Sequence, residues 1–261
     1  MRFQLLLQYR AAAFAGFGTQ CWWGAIKVMV FTAFLSGAVN SPMTIRQTVD
    51  YIWLGQALLM MLPWSADQEL ARMVRSGDVA YERLRPLDSY VYWYARAVAR
   101  RTAPPLLRAI PLVFVTGVVL PLFGFGEWGL SAPAGVAAAA LFAVSMVFVI
   151  ALASAFSTLL DLLVVATLSE RGVNTFVAPI ATVFSGSLVP LPLLPSWMQP
   201  IMRYQPFAGL LDFPLRIYSG HLAGWEAVVA MARQAAWVVV FIAIGKALAV
   251  HVMARLQTQG G

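Results

Sequence analysis

Residues Trp128 to Leu160 read WGLSAPAGVAAAALFAVSMVFVIALASAFSTLL, 33 positions without one charged side chain. A helix rises about 1.5 Å per residue, so about 20 apolar residues cross the hydrocarbon core of a bilayer, and this stretch exceeds that length. The rest of the chain agrees with it: 61% of the residues are hydrophobic and 11% are charged. A soluble domain carries about 25% charged residues, so the bilayer, not water, is the solvent this composition fits.

Working outward from that stretch, uncharged windows of spanning length predict six crossings in an all-α, polytopic membrane protein. They run over about Ala12–Val39, Thr48–Trp64, Pro105–Phe125, from near Ala132, Val173–Leu188 and Trp225–Val250. Lys27 interrupts the first, and Arg233 and Lys246 lie in the last. Six crossings return the chain to the side on which it starts. Twelve arginines flank that side, among them Arg72, Arg75, Arg83, Arg96, Arg100, Arg101 and Arg171, and Arg46, Arg203 and Arg216 flank the other. The positive-inside rule then places both termini in the cytoplasm. The same rule accounts for the net charge of +7 without nucleic acid as a partner. Met1 to Tyr9 reads as an amphipathic helix lying on the membrane, because Gln4, Gln8 and Arg10 interrupt what a signal peptide would need. The lone Cys21 excludes an intrachain disulfide or a multi-cysteine metal site.

Two connections are too patterned to be simple turns. Ser65 to Ala103 falls on the cytoplasmic side and contains QELARMVRSGDVAYERLRPLDSYVYWYARAVARR. Gln68 to Arg75 suits a short helix, Ser76-Gly77 an end to it, and Asp78 a cap for a further turn through Arg83. Pro86 breaks the chain before a predicted helix over Asp88–Arg101, with Tyr90, Trp93 and Tyr94 at the membrane surface. The second connection, Ser185 to Gly220, falls outside and holds Pro190, Pro192, Pro195, Pro200, Pro206 and Pro214. It is apolar yet unable to form one helix, so it must dip into the outer leaflet as broken pieces packed on the spans.

These two connections, in this order and between these spans, resemble those of ABC-2 type exporter permeases. The likeness is strongest to a bacterial branch of about 260 residues encoded in pairs beside a separate ATPase. It rests on MVRSGDVAYERLRPLDSY (Met73 to Tyr90) and FSGSLVPLPLLPSWMQPIMRYQPFAGLLDFPLRIYSG (Phe184 to Gly220). The resemblance implies a single transmembrane domain over 1–261, of the type V exporter-like kind, in a bacterial inner membrane. It implies an interfacial helix over 1–10, a coupling region within 65–103 that docks on the ATPase, and a re-entrant gate within 185–222 that closes the exit. Docking would involve Asp67, Glu69, Arg72, Arg75, Gly77, Asp78, Glu82 and Arg83, and the gate Pro190, Pro192, Pro195, Pro206 and Phe207. The chain has no GxxxxGK[ST] loop, so ATP and Mg would be bound by a partner ATPase dimer, and this chain would be a transport subunit with no cofactor of its own. A second permease, a sister chain or another copy, would complete the pathway. The expected cargo is hydrophobic or amphipathic, because the spans lack a polar face.

Competing readings attach to single residues. The charges of 67–85 also suit a solvated loop. Lys27 suits the pathway or a subunit interface as well as an inward snorkel, and Arg233 the pathway or the outer headgroups. Asp161, Glu170 and Arg171 suit an interfacial turn or a second ATPase contact. Trp22, Trp23, Trp53, Trp64, Trp93, Trp197 and Trp225 read as interface anchors, with an aromatic substrate surface as the other choice. His221 and His251 fall at opposite faces and cannot share a metal. An ion-coupled transporter would place acids at mid-depth, where none is found. A membrane-embedded scaffold or enzyme is the remaining rival.

Overall fold

Three helices are long and apolar enough to cross a membrane, over Ser89–Leu122, Val136–Thr167 and Gly224–Ala254. The computed structural model describes residues 10–38, 40–79, 81 and 88–255, and among these it is helical without a strand. The expected surface helix over Met1–Tyr9 and the expected contacts Glu82 and Arg83 lie outside the described residues.

In chain order the helices are α1 (Arg10–Ser36), α2 (Ile45–Ala57), α3 (Gln68–Ser76), α4 (Ser89–Phe114), α5 (Val136–Thr167), α6 (Glu170–Phe184), α7 (Gln199–Tyr204), α8 (Asp212–Tyr218) and α9 (Gly224–Arg255). Local chemistry sets several of the boundaries. Thr44 and Gln47 form a capping box that starts α2: the Gln47 amide donates to the Thr44 hydroxyl and the Thr44 amide to Gln47 Oε1. Asp67 caps α3 and Asp88 caps α4, each through its carboxylate. Gly77 ends α3 at φ 82°, the left-handed conformation that glycine adopts without penalty.

The predicted break between a surface helix at Asp88–Arg101 and a span from Pro105 is not observed. α4 runs through Pro104, Pro105 and Pro111 and continues by a π turn (Val115–Val119) to Leu122. Each proline removes one amide donor, but a helix held on both sides by neighbours keeps its course. The π turn has a use. It leaves the Thr116 carbonyl outside the helical ladder, where it accepts the Leu130 amide at 2.9 Å and ties down the loop before α5.

Tyr90 and Trp93 are not surface anchors, because α3, α5 and α9 cover them. They are 5% and 2% exposed, in a cluster with Leu70, Val79, Leu162, Val165, Ala249 and Val252. Trp53 is likewise buried, its indole donating to the Trp128 carbonyl at 2.7 Å. Trp22, Trp23, Trp197 and Trp225 are exposed. Helices in lipid associate through close backbone approach and polar bonds, since the lipid itself is apolar. Accordingly Gly24 lies under the Trp53 ring and Gly245 under Tyr90, each so close that a Cβ would fall within 2.5 Å of a ring atom.

The ends of the bundle differ. The start of α4, the end of α5, the end of α9 and α3 meet at an arginine-rich end. The starts of α2 and α5, with α8 and the loop into α9, meet at the opposite, proline-rich end, where the Ala134 amide donates to the Tyr218 carbonyl and His221 reaches the Pro42 carbonyl.

Candidate functional site

At the arginine-rich end a charge cluster joins α3 to two long helices. Asp67, 6% exposed, caps α3 by accepting the Glu69 amide at 3.0 Å, and its other oxygen meets Arg96 and Arg100 of α4 at 3.2 Å each. Arg100 reaches on to Asp161 of α5 at 3.0 Å, and Asp161 accepts the Asp67 amide at 2.7 Å. Arg96 also meets Glu69 at 3.1 Å. Two buried carboxylates and two guanidiniums therefore alternate, which is the condition under which buried charges are tolerated. Arg101, 8% exposed, donates to the Ser157 hydroxyl and to the Leu62 carbonyl, both at 2.9 Å, so it satisfies the chain leaving α2. The Asn174 side chain accepts the Ala66 amide at 3.1 Å and adds α6 to the same anchorage.

Beyond this base α3 projects its polar face. Arg72, Arg75, Gly77 and Asp78 are exposed, Arg75 pairs with Glu170 of α6 at 2.8 Å, and the Ser76 hydroxyl donates to Asp78 at 2.6 Å. The expected docking residues thus divide. Asp67 is buried and positions the helix, whereas Glu69, Arg72, Arg75, Gly77 and Asp78 present a surface.

At the proline-rich end, prolines strip amide donors from 185–220 and leave carbonyls to be satisfied. Side chains supply the donors. Gln199 Nε2 donates to the Leu191 and Leu194 carbonyls, at 2.8 and 3.0 Å, and Gln205 Nε2 to Phe184 at 2.7 Å. Gln234 of α9 donates to the Gly209 carbonyl at 2.7 Å and accepts the Ser145 hydroxyl of α5 at 2.9 Å. Lys27 donates to the Ser187 carbonyl at 2.5 Å and so ties α1 to the start of this segment. Pro190 and Pro192 are buried, Pro195 is exposed, and Pro206 is half-buried. Phe207 meets Phe156 of α5 edge-on, at 5.2 Å between centroids. Sequence reading missed the three glutamines. Their signal is an amide side chain in or beside a proline-rich apolar stretch, where backbone carbonyls must find donors.

A second charged set locks this end. The Tyr51 hydroxyl and Arg216 both donate to the buried Asp212, each at 3.0 Å. Arg216 Nε donates to His221 Nδ1 at 3.0 Å, which fixes the neutral tautomer whose Nε2–H donates to the Pro42 carbonyl at 2.9 Å. Burial beside Arg216 pushes the His221 imidazole below its ordinary range. Asp50 accepts the Ser131 amide at 2.8 Å and the Ser131 hydroxyl, with Arg46 at 3.5 Å. Arg233 stacks over the Tyr204 ring at 4.8 Å. Comparison of the chain with family models, curated proteins and solved structures finds no match to any of them.

Proposed function

We propose that this chain is the permease subunit of an ATP-driven exporter of the ABC-2 type, moving a hydrophobic or amphipathic molecule outward across a bacterial inner membrane. In this reading α1, α2, α4, α5, α6 and α9 make six crossings, both termini are cytoplasmic, and α3 docks on an ATPase dimer that binds ATP and Mg. The 13 residues of α2 and the 15 of α6 rise about 20 and 22 Å, short of the ~30 Å core; the turn over Leu59–Met61 extends the first and the segment 185–220 completes the second as a gate. A second permease, a copy or a sister chain, supplies the other half of the path.

The observation that carries the reading is the mounting of α3. A short helix with an exposed polar face is fixed by its N-cap carboxylate to α4 and α5, so a pull on it reaches both helices without passing through a loose loop. The rival reading of an ion-coupled transporter is weakened because the buried carboxylates Asp50, Asp67, Asp161 and Asp212 each face an arginine.

The test is co-purification of the tagged full chain from its native membrane. A stoichiometric nucleotide-hydrolysing subunit is expected, and the surface substitutions Arg72→Glu and Asp78→Lys together should remove about nine-tenths of it with the melting temperature nearly unchanged. Transport that persists with no such subunit present overturns the proposal.

A further inference from the structure

Four arginines lie at the proline-rich end, Arg46, Arg203, Arg216 and Arg233, and three of them converge. Arg203 of α7, Arg216 of α8 and Arg233 of α9 line one open cavity of about 190 Å³. A water takes about 30 Å³ of liquid, so the space admits a small polar group rather than a whole lipid. Glu226 is the one carboxylate on the wall among the described residues. Asp212 sits behind Arg216 and is engaged by it and by Tyr51. Among the described residues no carboxylate lies within 4.0 Å of the Arg203 or Arg233 guanidinium. The Arg233 guanidinium lies over the Tyr204 ring, 4.8 Å from its centroid, which holds it at the cavity.

The other wall is apolar, made by Phe213, Leu222, Val229 and Ala230, with the exposed indole of Trp225 at the rim. Guanidiniums opposite an apolar wall, under an indole of the kind found at headgroup depth, suit an anionic head with an apolar tail. The guanidinium fork matches phosphate oxygens in two-point contact. We propose that this cavity binds an anionic phosphate group, presented either as a lipid headgroup or as free phosphate. Once bound, the anion bridges α7 and α8 to α9, and so staples the proline-rich segment to the last long helix. The site holds whichever way the chain lies in the membrane and requires no ATPase partner.

Native mass spectrometry of the full chain in detergent, with phosphatidylglycerol against phosphatidylcholine, tests the lipid source. Thermal unfolding with and without millimolar inorganic phosphate, in lipid-free detergent, tests the free anion. Preferential retention of phosphatidylglycerol is expected, reduced about tenfold in Arg203→Gln/Arg233→Gln, the loss of two arginine contacts to an anionic headgroup. Arg46→Gln, outside the cavity, should retain it fully, and Glu226→Gln should retain more than the parent chain. A rise in melting temperature with phosphate alone, abolished by the same double substitution, assigns the site to the free ion. Equal retention of the two lipids together with no phosphate effect overturns the proposal. So does a phosphatidylglycerol preference that survives the double substitution. Melting curves in phosphatidylcholine establish that each variant is folded.

Discussion

At Asp67 one carboxylate accepts the amide that begins α3 and also faces the guanidiniums of Arg96 and Arg100, so cap and charge are separable by substitution. Asparagine caps a helix as well as aspartate, yet Asp67→Asn removes the carboxylate that two half-buried arginines share, leaving Arg96, among the described residues, only the exposed Glu69 and Arg100 only Asp161. Asp67→Asn should cost about 2–3 kcal/mol of unfolding free energy, and Asp67→Ala about 1 kcal/mol more for the lost cap. Unfolding of the full chain in detergent micelles, followed by circular dichroism, measures both, and an asparagine variant as stable as the parent would remove the charge cluster from the argument. The sequence already singled out the acids and arginines of 67–85 as a group. It could not separate the buried member from the exposed ones, because Asp67 is buried by partners far along the chain, Asp161 being 94 positions away. Gln199, Gln205 and Gln234 were hidden for a similar reason. An amide carries no charge, and only the path of the prolines around it shows what it must satisfy.

Among the elements, α4 shows how a local signal misleads. The sequence predicts a surface helix over Asp88–Arg101 and a span from Pro105 as two pieces, yet one helix runs through Pro104 and Pro105, because tertiary packing outweighs the loss of donors. The apolar windows marked α5 and α9 to within a few residues and only the second half of α4, since hydrophobic length is a property of the segment alone. The π turn was not legible, as nothing local marks the Thr116 carbonyl as an anchor for residue 130. Gly129 is what lets that anchor form: a Cβ there would fall 2.5 Å from the Thr116 oxygen, whereas at Gly126 its nearest neighbour would be 3.9 Å away. Gly129→Ala should therefore destabilise the chain by about 1–3 kcal/mol, the usual cost of overpacking. Gly126→Ala should stay within about 0.5 kcal/mol of the parent. Melting temperatures of the two variants decide this, and equal values would show that the anchor contributes nothing.

For the whole molecule, the division into an arginine-rich and a proline-rich end makes orientation a yes-or-no experiment. In a Cys21→Ser background, Ser76→Cys should react with a membrane-impermeant maleimide only in inverted vesicles, and Ser196→Cys only in intact cells, both positions being exposed. Labelling of both from one side would exclude the six-crossing arrangement. The same two ends are joined by α5, 32 residues without an internal proline. It meets Arg100 through Asp161 near one end, and the residue before its other end region, Ala134, bonds the Tyr218 carbonyl at 3.0 Å. In a straight rod of that length, about 48 Å, a rocking of about 5° around the midpoint would carry each tip about 2 Å, in opposite directions. Hydrogen bonds tolerate only a few tenths of an ångström. A slight sideways push at one end would thus suffice to unfasten what is tied at the other, with no bend in the rod between them.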